Sequence, residues 1–239
     1  QRALYMQAAA AIDTAHGHPS ADEAARAEAV LNFLIPIVKS WCTDNGTVLT
    51  NLAMQVYGGM GYVEETGAAQ YVRDVRITPI YEGANGIQAL DLIGRKTAAD
   101  GGAVARALLA DGQSVAAKLA SVDAELGAQL QQALALAEQS VADILAQMAS
   151  NPELAAAASN AYLNQMGCTL GAVALARAHL AAQDALADVA NAPLGEDFYQ
   201  TQQHVTQVYF TQVLPQIHTH AALVHSGSPA LLAVPLASF

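Results

Sequence analysis

Glu82 has the setting in this 239-residue chain that most suggests chemistry. It lies between Tyr81 and Gly83, directly before a helical pattern begins. An acidic residue at a helix start is stabilised by the helix dipole by ~0.3 to 1 kcal/mol, which explains Glu82 without catalysis. The preceding apolar stretch ITPIY predicts partial burial, however, and burial raises the pKa of a carboxyl group toward the range useful to a general base. A helix-start acid and a positioned base both remain open on these residues alone.

A second candidate is QVYGGMGY, residues 55–62, which has three glycines in four positions where a helix is predicted to end. Glycine often ends helices because it accepts left-handed backbone geometry. Absent side chains also let the phosphate of a ligand approach backbone amides. The local pattern by itself favours the helix stop over the ligand loop.

The histidines and cysteines form no pattern typical of a metal site or a nucleophile. His218 and His220 are two residues apart on a predicted helix, so their side chains point to different sides. Cys42 and Cys168 lie far apart without a ligand motif, and we expect buried, reduced thiols. The nucleophile elbow Gly-x-Ser-x-Gly does not occur. We therefore predict no metal site.

Helical periodicity runs almost throughout the chain, without a convincing alternating strand, and predicts an all-α fold. The first helix is predicted over residues 2–15, ending at HGHP. Ser20 and Glu23 fit a capping box that opens a long helix, which Pro36 kinks without ending. That helix is predicted to end at the glycines of QVYGGMGY.

The segment that follows is predicted to position Glu82. A short helix through AAQYVRD leads into the irregular connection VRITPIYEG. From Gly83, a further helix is predicted to carry Ile87, Leu90 and Ile93 on one side and to close near Lys96. The stretch TAADGG then reads as a linker between a domain at residues 1–98 and a second one at residues 103–239.

The second domain is predicted to be an antiparallel bundle of about four helices. Asn151 and Pro152 fit the cap and first position of one of them. Two apolar stripes are each assigned to one helix. The first comprises Val122, Leu126, Leu130, Leu134, Ala137, Val141, Ile144 and Met148. The last comprises Val205, Tyr209, Val213, Ile217, Ala221 and Val224.

Composition narrows the classes of function. A net charge of −11 and a sequence pI of about 4.8 argue against nucleic-acid binding, which needs clustered basic residues. The sequence has no run of about 18 apolar residues to span a membrane and no signal-peptide cleavage pattern, so a cytoplasmic protein is predicted. The start without Met, already in a helical pattern, suggests a piece of a longer chain.

Residues 55–96, QVYGGMGYVEETGAAQYVRDVRITPIYEGANGIQALDLIGRK, resemble the C-terminal helical domain of acyl-CoA dehydrogenases. GGMGY, VRD and IYEG occur in the order and at the spacing of that family, and the resemblance extends over residues 1 to about 97. Residues 103–239 fit the added helical region of a subgroup of larger bacterial members, which includes 3-methylmercaptopropionyl-CoA dehydrogenases. The resemblance reverses the preference for a simple helix stop at the glycines.

The resemblance implies an FAD-dependent conversion of an acyl-CoA thioester to its 2-enoyl-CoA. It assigns removal of the α-proton to Glu82, while the β-carbon delivers hydride to FAD. It places Tyr81 and Gly83 beside the thioester. An acceptor such as an electron-transfer flavoprotein is expected to reoxidise the cofactor.

The resemblance also implies an oligomer, because residues of one subunit contact the cofactor of another. Gln55, Gly58 and Gly59 match positions at the adenosine-diphosphate part of FAD in a neighbouring subunit, so a homodimer or a dimer of dimers is expected. Ala84 and Gly86 stand where many members have Thr and Gln beside the flavin, and Ala84 lacks the hydroxyl donor.

Family members place an N-terminal helical domain and a β-domain before this region. We therefore expect the isolated chain to be inactive and to bind FAD weakly or not at all. Two alternatives stay open: an acyl-CoA oxidase-like enzyme, which shares the base, and a non-catalytic helical module for oligomerisation or partner binding.

Overall fold

The computed structural model describes residues 1–227, 229–235 and 237, and every regular element in this part of the chain is helical. The α-helices are α1 (Arg2–Gly17), α2 (Ala21–Val56), α3 (Gly59–Tyr62), α4 (Ala68–Arg76), α5 (Asn85–Asp91), α6 (Ala103–Val122), α7 (Ala124–Ser150), α8 (Pro152–Leu186), α9 (Glu196–Gln212), α10 (Gln216–Ser226) and α11 (Pro229–Leu232). Short 3₁₀ helices span Glu64–Thr66 and Val189–Asn191, and a π-helical segment spans Leu92–Ala98. The all-α prediction is confirmed.

Helix α2 is the long helix to which the loop of Glu82 is hydrogen-bonded. The Ser20 hydroxyl caps it by accepting the Glu23 backbone N–H at 3.4 Å, as predicted. The reciprocal bond of a capping box is replaced, because the Ser20 N–H donates to His18 Nδ1 and the Glu23 carboxylate pairs with Arg26. The helix continues through Pro36, also as predicted, and α1 and α4 pack against it.

The predicted apolar stripe of the next helix is wrong at Ile87 and Leu90, whereas its third member, Ile93, is buried. Ile87 and Leu90 are 56% and 43% exposed, whereas Ala89, Leu92 and Ile93 are buried. The physical reason is that α5 packs against α2 and α8 with its other side, and the chain then widens into the π-helical segment. Ile87 and Leu90 therefore lie on the surface, next to the loop that holds Glu82.

The stretch TAADGG, predicted to be a linker, ends the π-helical segment with Thr97 and Ala98 and then forms a tight turn over residues 99–102. Thr97 is fully buried, and its hydroxyl lies 3.3 Å from the Tyr162 hydroxyl of α8. The Asp100 carboxylate accepts the backbone N–H groups of Gly102, Ala103 and Val104, which starts α6. A division into two domains here stays a prediction, and one hydrophobic core contains residues from both sides of the turn.

The first stripe of the second half is confirmed from Leu126 to Ile144, all of whose predicted members are buried in α7. The assignment of Val122 to this stripe is wrong. Val122 is exposed and ends α6, because Asp123 caps α7 by accepting the N–H groups of Glu125 and Leu126. The next helix begins as predicted.

Asn151 caps α8 by accepting the Glu153 N–H, and Pro152 occupies its first position. The last predicted stripe is divided between α9 and α10, which is a second correction. The backbone turns between Gln212 and Gln216, where Pro215 lacks an N–H to continue the ladder.

Helix α8 joins the two halves of the chain. It is buried around most of its circumference and packs against α1, α2, α5, α6, α7, α9 and α10. Trp41 of α2 lies directly against Gly167 of α8, where an added Cβ would be 2.5 Å from the indole Cγ. Nearby, the Tyr209 hydroxyl donates to the Cys168 carbonyl at 2.9 Å. Both predicted thiols are unpaired, with Cys168 buried and Cys42 half-buried.

Candidate functional site

Glu82 lies on a sharply turned loop between α4 and α5. Its φ is 55°, and it is the one non-glycine residue with a positive φ in the described part of the chain. Gly83 follows with a φ of 86°. The loop is closed by backbone bonds, from the Ile80 and Tyr81 N–H groups to the Ile77 carbonyl and from the Asn85 N–H to the Pro79 carbonyl. A left-handed conformation costs an ordinary residue about 1–2 kcal/mol, so other contacts must hold Glu82 in it.

Polar side chains of α2 supply these contacts. Lys39 Nζ donates to the Gly83 carbonyl and to Asn85 Oδ1, both at 2.7 Å. Asn85 Nδ2 donates to Asp44 Oδ1 at 2.7 Å, and the Ser40 hydroxyl donates to the Asn85 carbonyl at 3.2 Å. We call Lys39, Ser40, Asp44 and Asn85 the α2 clamp. It fastens the carboxyl side of the loop to the long helix.

Sequence reasoning missed the α2 clamp. Lys39 lies two residues after the buried Ile37 and two before the buried Trp41, on the opposite side of the helix, where a basic residue is ordinary. Its partner Asn85 gave no signal either, because asparagine is common at helix starts for local reasons.

The predicted partial burial of Glu82 is wrong. Glu82 is exposed, because the residues expected to cover it, Ile80 and Tyr81, are themselves 52% and 49% exposed. The Glu82 carboxylate accepts no hydrogen bond within the described chain, and its backbone N–H also donates to none. Both groups are therefore free to contact another molecule.

The glycines of QVYGGMGY differ in what the local fold requires of them. Gly58 has a φ of 59°, and a Cβ on Gly61 would be 2.2 Å from the Met54 carbonyl oxygen. Gly59 has neither constraint, since no heavy atom lies within 4 Å of its added Cβ. A helix stop therefore explains two of the three glycines and leaves Gly59 unexplained.

Gln55 and Gly58 line an open cleft of about 620 Å³ along the carboxyl-terminal half of α2. Its other lining residues are Thr47, Val48, Asn51, Leu52, Met54 and Tyr62. Amide, hydroxyl and apolar groups alternate there, which suits a ligand with both polar and apolar parts.

A second cleft, of about 550 Å³, borders the loop of Glu82. It is lined by Asp44, Thr47, Val48, Arg76, Pro79, Ile80, Ala84, Asn85 and Gly86. Thr47 and Val48 line both clefts, so the predicted residues at the end of α2 and those on the loop lie along one face of this helix. Tyr81, Glu82 and Gly83 connect two lining residues of the second cleft, Ile80 and Ala84, along the chain but do not line it themselves.

Other kinds of site find no support in the described part of the chain. No group of three or more His, Cys, Asp or Glu side chains converges there as metal ligands would. None of the helices in that part combines the length and hydropathy of a membrane span.

The fold and the site define an all-helical protein that presents one unpaired carboxylate on a fixed loop, next to an open cleft lined by amide and glycine positions. Two family models divide the chain at residue 97. The model described as acyl-CoA dehydrogenase, C-terminal domain, matches residues 1–97, and that described as acetyl-CoA dehydrogenase C-terminal like matches residues 97–235. The chain belongs to the acyl-CoA dehydrogenase family.

Similar curated proteins agree with the family. A 3-methylmercaptopropionyl-CoA dehydrogenase of Ruegeria pomeroyi is 34% identical over 238 residues, which cover 97% of this chain and 39% of that protein. A butyryl-CoA dehydrogenase of Syntrophomonas wolfei is 29% identical over 209 residues, or 84% of this chain and 33% of that protein. A mitochondrial short-chain specific acyl-CoA dehydrogenase of Bos taurus is 47% identical over 58 residues, or 24% of this chain and 14% of that protein. The chain thus spans about two-fifths or less of these relatives.

Proposed function

We propose that the full-length protein containing this chain dehydrogenates an acyl-CoA thioester between its α- and β-carbons, with Glu82 as the base that removes the α-proton. The observation that carries this proposal is the unpaired Glu82 carboxylate on a loop held in a left-handed turn beside an open cleft. Family membership supports the reaction class, and the printed names of the relatives suggest 3-methylmercaptopropionyl-CoA and butyryl-CoA as probes.

The reaction explains why a single, fixed carboxylate is needed. The α-proton of a thioester is weakly acidic, so the base must be held close to it while negative charge on the thioester oxygen is stabilised. The carboxylate of Glu82 accepts the proton, and its unpaired backbone N–H is available to the oxygen. Tyr81 and Gly83, as the neighbours of the base, are proposed to flank the thioester.

The residues present fit one edge of FAD. Gln55 offers an amide, Gly58 and Gly59 leave their backbone accessible, and Leu52 gives an apolar wall in the first cleft. Ala84 and Gly86 line the second cleft without a side-chain donor, so we propose that they make room beside the flavin and do not bind it through side chains. FAD, when bound, accepts the hydride that leaves the β-carbon, and the acyl group becomes a 2-enoyl thioester.

The clefts are open and lie on one face, and from this we infer that the isolated chain binds FAD weakly. Partners in the complete protein are proposed from the family: a second copy of the chain in a dimer or tetramer, and an electron-transfer flavoprotein. A cytoplasmic location stays a prediction.

Glu82→Gln in the full-length protein tests the assignment. The substitution keeps the size of the side chain and removes the base, so flavin reduction by either probe is expected to fall by ~10²–10⁴-fold with FAD content unchanged. Glu65→Gln, at an exposed glutamate of the same region, is the matched control and is expected to reduce normally. Unchanged reduction in Glu82→Gln would refute the role of the residue.

A non-catalytic module is the second candidate, favoured by the exposed apolar side chains along α2, α3 and α5. The reduction assay on the full-length protein separates the two candidates, and a flavin titration of the 239-residue chain tests our inference about the isolated chain. Weak or no uptake agrees with our inference about the chain, and tight stoichiometric uptake contradicts it.

A further inference from the structure

We propose that Lys39 is the positioning residue for the base, acting through the Gly83 carbonyl and the side chain of Asn85. This inference rests on the proposed role of Glu82. Lys39 does not form an ion pair with that carboxylate in the structure, so it acts on the backbone that carries it. Its effect is on where Glu82 points, while the carboxylate stays free to take a proton.

The position of the ammonium supports this role. Lys39 is half-buried on α2, and its two 2.7 Å bonds reach acceptors on either side of Ala84. Bonds with a charged donor are among the stronger ones, at ~1.5–3 kcal/mol. Together they fix both the peptide group that follows Gly83 and the first residue of α5.

The rest of the α2 clamp keeps Asn85 in the orientation that Lys39 needs. Asn85 Nδ2 donates to Asp44 Oδ1 at 2.7 Å and to the Thr43 hydroxyl at 3.0 Å, which leaves Oδ1 facing the ammonium. On the other side of the turn, Gln88 Nε2 donates to the Glu82 carbonyl at 3.4 Å. The backbone is thus held both before and after Gly83.

The unfavourable φ of Glu82 shows why such a clamp is needed. A residue at φ 55° relaxes to an ordinary conformation when its neighbours permit it, and this rotation would carry the carboxylate away from its position. A misplacement of the order of 1 Å can reduce a reaction rate by ~10²-fold. Loss of the Lys39 ammonium is therefore expected to lower the rate of proton removal more than the affinity for substrate.

Lys39→Met and Lys39→Arg test the proposal, with Lys118→Met as the matched control at an exposed lysine of α6. In the full-length holoenzyme, Lys39→Met is expected to lower the rate constant of flavin reduction at saturating probe by ~10–100-fold, with KM changed by less than about threefold. Lys39→Arg keeps a charged donor and is expected to lose less. A normal rate in Lys39→Met, or an equal loss in Lys118→Met, would overturn the proposal.

A second readout does not depend on activity. The two hydrogen-bonded amides of the loop, those of Tyr81 and Asn85, are expected to exchange at least about tenfold faster in Lys39→Met, because the loop opens more often. Exchange within α2 is expected to stay as in the unsubstituted protein. Unchanged exchange at Tyr81 and Asn85 would show that Lys39 does not hold the loop.

Asn85→Ala provides an independent variant if Lys39→Met fails to fold. Because both residues belong to one clamp, the double variant is expected to lose little more rate than the worse single variant, whereas additive losses would refute a shared action. The Glu82→Gln result separates the two proposals. Normal reduction in that variant refutes the base, and a normal rate in Lys39→Met beside an inactive Glu82→Gln refutes the clamp alone.

Discussion

Two regions of the chain, helix α7 and the end of α2 with α3, use their apolar residues in opposite ways. In α7, Leu130, Leu134 and Ile144 are fully buried, as their spacing on one helical face suggests. Along the carboxyl-terminal part of α2 and in α3, comparable side chains face solvent, with Val56 86% and Tyr62 80% exposed. Monomeric proteins seldom leave so many large apolar side chains together on one surface. The end of α2 and α3 therefore leave an apolar surface suited to binding, whereas α7 and the helices packed on it form a scaffold in which the apolar stripe of α7 is covered.

Leu→Ala substitutions at matched sites test this contrast with the largest expected effect. Leu134→Ala removes buried atoms in α7 and is expected to lower the free energy of unfolding of the chain by about 2–5 kcal/mol. Leu52→Ala, at a residue that is exposed on α2, is expected to change it by less than about 0.5 kcal/mol. Urea unfolding followed by circular dichroism measures both. Equal losses would show that the α2 surface is part of the core.

Gly167→Ala tests how the scaffold is joined to α2. The new methyl group would lie 2.5 Å from Trp41 Cγ, and overpacking of this kind is expected to cost about 1–3 kcal/mol in urea unfolding. Trp41 is the single tryptophan of the sequence, so its fluorescence reports the site directly. A normal stability together with a normal emission spectrum would contradict the close packing of α2 on α8.

Gly59→Ala examines the glycine that the fold of the chain does not explain. Its added Cβ meets no atom within 4 Å, so the unfolding free energy of the chain is expected to stay within about 0.5 kcal/mol. In the full-length protein, we expect about tenfold weaker FAD binding, or about 1.4 kcal/mol, because the methyl group obstructs approach to the backbone. Dialysis against free flavin measures the affinity. Unchanged affinity would remove Gly59 from the proposed cofactor site.

The smallest expected effect is a pH dependence confined to the scaffold. Burial lowers the pKa of the His179 imidazole, opposed by the charge of Asp123 and a bond with the Gln203 backbone, and burial also lowers the pKa of His220. Below a pH of about 6.5, an unfolded histidine takes up a proton that the folded one resists, so stability is expected to fall as the pH drops from 7 to 5.

Variants at His179 check this sign. His179→Gln is expected to show a shallower loss of unfolding free energy between pH 7 and pH 5 than the unsubstituted chain. His204→Gln, at an exposed histidine of α9, serves as the control. A rise in stability on acidification, or an identical slope in all three proteins, would contradict burial of a neutral imidazole.

The contrast between these two regions also explains which features could be predicted from the sequence. Periodicity identified the buried face of α7, where Leu126 to Ile144 pack against neighbouring helices of the same chain. The same logic failed at Ile87 and Leu90, because an apolar stripe shows that a face avoids water and does not show what covers it. Two boundaries were missed for local reasons, the Asp123 cap before α7 and the turn at Pro215.

Only those residues of the candidate site that belong to a sequence motif could be predicted. The resemblance singled out Glu82, Gln55 and the glycines, whose roles stay predictions; in the structure Gln55 and Gly58 line the first cleft, and Ala84 and Gly86 line the second, which borders the loop of Glu82. The resemblance could not reveal the left-handed φ of Glu82 or its bond network, because Lys39 lies 43 positions away in the sequence and meets the loop only after folding. Contacts of this kind depend on tertiary packing, and periodicity contains no information about them.

Solvent-deuterium exchange at the α-carbon tests the central claim most directly, because it follows the proposed proton transfer by itself. The full-length protein is incubated in D₂O with a 3-thia acyl-CoA, whose sulfur at the β-position prevents hydride loss, and deuterium is measured by mass spectrometry. We expect rapid incorporation with the unsubstituted protein and with Glu65→Gln, and ~10²–10⁴-fold slower incorporation with Glu82→Gln. Incorporation at the normal rate in Glu82→Gln would show that another group removes the proton.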